Sequence, residues 1–215
     1  WAADHGITDP DVAQRWAAIS EVYYTRYQRR ELTFAGQRRW RVREFLGVDV
    51  DDAEADALFA RYRERYEAGW SVFDDAVPVL RRARAAGLTV AVLTNGDEDQ
   101  SRLKIMNAGL SGEIDTLVAT SRLPASKPDL RAFADALNLV GVAAKDALMV
   151  GDSLEKDVRG ALAAGWDAVL LDRSDLHRGV DVPRVRSLDA LTFDPPCRYP
   201  RRPIGQVTPV PWSGQ

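Results

Sequence analysis

Asp152 and Asp157 stand five positions apart in Gly151-Asp152-Ser153-Leu154-Glu155-Lys156-Asp157, where an apolar run gives way to an alanine-rich helical pattern. Carboxylates crowded together repel, and each raises the pKa of the other unless a cation lies between them. Mg2+ answers that need, because it takes one or two carboxylates along with water and a phosphate oxygen. Asp152 alone reads equally well as a cap for the helix that follows. Thr94, Asn95 and Gly96 form a second group. A hydroxyl, an amide and backbone N–H groups at a helix start can together hold a phosphate oxygen. Asn-Gly after a strand also suggests a hairpin, but a polar helical pattern follows it. Thr94 could likewise serve only as a cap. Lys127, in Ser126-Lys127-Pro128, reads on its own as a surface lysine in a turn. Beside the other two groups its ammonium would neutralise a phosphate and a carboxylate nucleophile. Phosphate binding, a fixed cation and a divalent metal are together the requirements of phosphoryl transfer.

Such residues need a scaffold that brings three loops to one place. "LTVAVLT" (88–94), "TLVAT" (116–120), "ALMV" (147–150) and "AVLL" (168–171) are apolar at nearly every position and alternate with helical patterns. These include "VPVLRRARAAG", a segment after Asp97 running to Gly109, 129–139 and 155–164. Alternation of this kind predicts an α/β fold with a Rossmann-like parallel sheet covered on both faces. In such sheets ligands bind beyond the carboxyl ends of the strands, where Thr94, Lys127 and Asp152 fall. Residues 1–70 differ. Val12, Trp16, Ile19, Tyr23 and Tyr27 mark one amphipathic helix, 34–46 a second closed by Gly47, and Ala55, Leu58, Phe59, Tyr62 and Tyr66 a third. An all-helical domain over 1–70, an α/β core over 71–193 and a proline-rich tail over 194–215 are expected, the tail disordered.

The 215 residues carry 29 Lys+Arg against 32 Asp+Glu, a net charge of −3, so nothing calls for a nucleic-acid or membrane partner. Arginines cluster at 29, 30, 38, 39, 41 and 43 among acids and read as a solvated helix face. The one cysteine, Cys197, rules out an internal disulfide and fits a reducing compartment, the cytoplasm. No membrane-length apolar run or signal peptide is visible. His5 and His177 read as surface residues, and the oligomeric state is not encoded in any pattern.

The three groups resemble motifs of the haloacid dehalogenase superfamily of phosphohydrolases. "VAVLTNG" matches its second motif, "SKPD" its third and "GDSLEKD" its fourth. The resemblance implies that Thr94 binds phosphate with Asn95 and Gly96, and that Lys127 is the stabilising lysine. It makes Asp152 a metal ligand and Asp157 a second ligand or its hydrogen-bonded support. It further implies a helical cap and a Mg2+-dependent phosphatase that cleaves a small phosphorylated metabolite through an aspartyl-phosphate. A 2-haloacid dehalogenase, a phosphotransferase and an inactive binding homologue share the fold. The family's first motif, a strand ending in Asp-x-Asp-x-Thr that bears the nucleophile, has no counterpart here. "DHGITD" (4–9) lacks the apolar run, and "WAADHG" at Trp1 reads like the end of a helix closed by Gly6. A start roughly 20–30 residues late, with the central strand missing, is therefore expected, leaving this chain poorly folded and inactive by itself.

Overall fold

The computed structural model describes residues 1–193. The expectation for the tail, 194–215, lies outside the described residues. Residues Trp1–Trp70 form one compact unit, and Ser71 onward a second.

In the first unit, a short 3-10 turn over Ala2–His5 closes on Gly6 in the left-handed region, φ 73°. Three helices follow: α1 (Val12–Gln28), α2 (Phe34–Leu46) and α3 (Asp52–Ala68). The Thr33 hydroxyl accepts from the Gly36 amide to start α2, and the Asp51 carboxylate accepts from the Glu54 amide to start α3. Such caps are each worth about 1 kcal/mol. Ile19, Tyr23 and Phe45 form the buried centre, with Trp1, Val12 and Trp16 packed on it. The arginines are not merely a solvated face. Arg39 pairs with Asp52 and with Asp56 (2.6 Å), and Arg43 with Asp52 (2.7 Å), tying α2 to α3. The Arg41 guanidinium lies 4.6 Å from the Trp16 ring centre and Arg38 4.0 Å from that of Phe34.

The second unit begins with α4 (Ala76–Ala85), then β1 (Ala91–Thr94), α5 (Glu98–Asn107), β2 (Thr116–Ala119), α6 (Leu130–Val140) and β3 (Leu148–Gly151). A π-helical turn over Leu154–Arg159 runs into α7 (Gly160–Ala163), followed by β4 (Asp167–Leu171) and a two-residue β5 (Arg184–Val185). Every pairing is parallel. β1 pairs with β2 from Ala91↔Thr116 to Thr94↔Ala119, and β3 with β4 from Leu148↔Asp167 to Gly151↔Leu170. β5 adds to the far edge of β4. Among the described residues the strands thus make two ladders, β1-β2 and β3-β4-β5, with no pairing between β1 and β3.

Side-chain alternation along a strand explains the layering. Val169 and Leu171 of β4 pack with Ala76, Val79, Val185, Leu188 and Leu191, the face covered by α4. Ala168 and Leu170 point the other way, onto Phe133, Met149, Val158 and Ala161, the face covered by α6 and α7. Each fully buried aliphatic or aromatic side chain here contributes about 1.5–3 kcal/mol. Three local departures from the sequence expectation have clear causes. The ladder begins at Ala91 instead of 88, because the Val90 amide is taken by the Asp115 carboxylate at 2.9 Å. The helix expected over 155–164 opens as a π turn before becoming α. A Cβ on Gly160 would lie 2.8 Å from the Phe133 ring, so only glycine permits this approach. β5 is too short to leave a periodic signal.

Candidate functional site

Thr94 is the last residue of β1, at the carboxyl end of the ladder. Its Oγ1 accepts from the Gly96 amide at 3.0 Å, which leaves the hydroxyl proton free to donate. The Gly96 N–H, expected to bind substrate, is turned inward onto Thr94 instead. Asn95 is also occupied. Its Nδ2 donates to the Lys127 carbonyl and its Oδ1 accepts from the Lys127 amide, both at 2.8 Å. These two bonds latch the loop after β2 onto the end of β1. Asn95 therefore holds Lys127 in place, with one amide proton to spare. Asp97 caps α5 through the Gln100 amide.

Lys127 is not the surface lysine that its turn suggested. Only 8% of it is exposed, and its Nζ donates to the Leu93 carbonyl and to Asp157 Oδ1, each at 2.6 Å. Asp157, 6% exposed, accepts at Oδ2 from the Ser153 amide at 3.1 Å. Both of its oxygens are thus engaged, and the cation resting against it is an ammonium. Gly151 makes this possible: a Cβ there would lie 2.5 Å from Asp157 Oδ2. Ser153 starts the π turn by accepting from the Lys156 amide at 3.1 Å.

Asp152 differs from its neighbour. Its side chain opens to solvent, yet protein packed on its other sides strips enough hydration to push its pKa up. Burial is the larger cause and the Asp157 charge the second, while Lys127 and Lys104 pull the other way. Lys104, on α5, was not singled out from the sequence. Burial lowers its pKa and the Asp152 charge opposes that. Asp152 borders an open depression of about 440 Å3 lined also by Ser153, Leu154, Glu155 and His177. His177, a partly exposed surface residue, lines this depression. His5 is half-buried against the Trp1 ring, 5.5 Å between centres. Neither role has a sequence signal, since both arise from tertiary placement.

The residues fit a hard cation in one respect. Asp152 supplies a solvent-facing carboxylate in a spot that disfavours its own charge, and Asp157 stands behind it. No cluster of three or more His, Cys, Asp or Glu side chains able to hold a metal occurs among the described residues. Mg2+ does not require one, since it keeps several waters and shares its sphere with phosphate.

A 145-residue stretch is 41% identical to phosphoserine phosphatase of Thermus thermophilus, covering 65% of this chain and 57% of that protein. Another, of 130 residues, is 38% identical to phosphoglycolate phosphatase of Rhodospirillum rubrum, covering 57% and 52%. The chain thus spans little more than half the length of these curated relatives. Its fold superposes on a magnesium-bound HAD-hydrolase of Bacillus subtilis with a TM-score of 0.72 at 19% identity, covering 87% of this chain and 84% of that one. The family profile of haloacid dehalogenase-like hydrolases matches residues 5–165, and with it the chain belongs to that family.

Proposed function

We propose that the intact protein is a Mg2+-dependent phosphomonoesterase acting on a small phosphorylated metabolite. The observation that carries this reading is the buried Lys127 ammonium, fixed between the end of β1 and the carboxylate that follows β3, near enough to Asp152 to act on its charge. The phosphatases among the relatives support it.

In this reading the Thr94 hydroxyl donates to a phosphoryl oxygen, and Lys127 neutralises charge that grows on the transferring group. Asn95 keeps the Lys127 backbone still, and Asp157 keeps its side chain extended. Asp152 would hold Mg2+ with Asp157 as support, and the ion when bound would supply Lewis-acid charge at the phosphate. The nucleophile is an aspartate on a strand outside these residues, seated between β1 and β3, which do not pair among the described residues. Its carboxylate forms a bond to phosphorus as the ester P–O bond breaks, and water then releases phosphate. The helical unit serves as the cap. The 215 residues alone turn over no phosphate ester.

Phosphate release from a panel of phosphomonoesters, by a chain extended with the Asp-x-Asp-x-Thr strand, tests this. Activity is expected only with Mg2+, to vanish with chelator, and to fall by at least about 100-fold in Lys127→Ala. Chloride release from 2-chloropropionate that ignores chelator would identify a dehalogenase instead. Transfer of phosphate to a second sugar would identify a phosphotransferase, and ligand binding without turnover an inactive homologue.

A further inference from the structure

The geometry points to His177 as a specificity residue that contacts the leaving-group half of the substrate, taking an oxygen-bearing polar group such as a carboxylate or hydroxyl. The inference rests on the phosphatase reading of the Asp152 site and extends it to the substrate. The open depression beside Asp152 is lined by residues at the start of the π turn and by His177. A phosphate drawn to Thr94, Lys127 and Asp152 would leave its organic portion in that space. His177 belongs to the loop that leaves the carboxyl end of β4, adjacent in the ladder to β3 and its Asp152.

The loop holds its shape through polar bonds that do not use the imidazole. Asp172, 4% exposed, accepts from the Leu176 and His177 amides at 2.8 Å each, and Arg184 joins Asp172 to Asp175. His177 is consequently anchored by its backbone, while its ring nitrogens have no protein partner among the described residues. A positioned imidazole with a free donor beside a cavity is a recognition element. Leu176, 78% exposed, sets an apolar surface beside it. Glu155, which also lines the depression, is paired with Arg159 at 2.7 Å and so offers less to a ligand.

Only His5 and His177 are histidines, so a 1H–13C spectrum of the imidazole Cε1–H groups contains two signals, one of them a built-in control. With Mg2+ present, O-phospho-L-serine or 2-phosphoglycolate is expected to move the His177 signal and leave His5 in place. Inorganic phosphate should move the Thr94 and Asp152 amides but His177 far less. His177→Ala should weaken binding of the two phosphoesters about five- to tenfold, the loss of one hydrogen bond, while phosphate affinity stays within about twofold. If the phosphoesters shift Thr94 and Asp152 but not His177, the inference fails and the phosphatase reading stands. An equal response of His177 to phosphate and phosphoester also overturns it. If no probe moves Thr94 or Asp152, both readings fall together.

Discussion

Lys127 carries two burdens, since it neutralises a buried carboxylate and satisfies a strand carbonyl. Removing one member of a buried ion pair leaves the other charge without compensation, which costs about 3–5 kcal/mol. Lys127→Met should therefore lower the urea unfolding free energy by about that much, and adding Asp157→Asn should return a large part of it. Two independent, additive losses would show that the pair is not coupled. Asp152 should behave in the opposite sense. Its folded pKa is raised above 3.8 by burial and by Asp157, so the protonated form favours folding. That stabilisation is complete below about pH 3.8 and is lost as pH rises through the folded value. At neutral pH without metal, Asp152→Asn should raise Tm, and the gain should vanish near pH 3. A gain that persists in acid would place its origin elsewhere.

At the level of the elements, Gly151 and Gly160 decide how the β3-to-α7 connection runs. Gly151→Ala would press a methyl group onto the Asp157 carboxylate, and overpacking of this kind costs about 1–3 kcal/mol. The same substitution should release Lys127 from its place, visible as a changed shift of its Nζ. The loop after β4 depends on Asp172. Burial acts to raise that carboxyl, but the His177 and Leu176 amides and Arg184 outweigh it and hold the pKa below its ordinary value. Its contribution to stability is present above about pH 3.8 and lost as pH falls through the lowered value. Amide exchange at 176–177 should quicken in acid, whereas an unchanged rate would deny Asp172 its anchoring role. The strands were legible in sequence because buried parallel strands are continuously apolar, as in Val92-Leu93 and Val169-Leu170-Leu171. The site loops were legible because Thr94, Lys127 and Asp152 follow those runs. The inward turn of the Gly96 amide, the Asn95 latch and the engagement of both Asp157 oxygens were not. Each depends on which partner a polar group meets across the fold, and no spacing along the chain encodes that. His177 lay beyond reach for the same reason.

For the molecule as a whole, the unpaired approach of the two ladders is the feature with most consequence. Among the described residues β4 has a partner on each side, whereas β1 has only β2. Backbone amides of Ala91–Thr94 should accordingly exchange with solvent faster than those of Asp167–Leu171, and equal protection would mean that something already pairs with β1. An added strand that seats there should slow them and, on the reading proposed here, bring the attacking aspartate to Lys127. The helical unit has its own aromatic core, and no helix among the described residues is long and apolar enough to cross a membrane. The account rests on the carboxylate after β3 being a place for a divalent ion shared with phosphate. Calorimetric titration of Mg2+ into the protein with inorganic phosphate present addresses this. Saturable binding is expected, weakened at least about tenfold, or 1.4 kcal/mol, in Asp152→Asn. Undiminished Mg2+ binding by that variant would contradict the account.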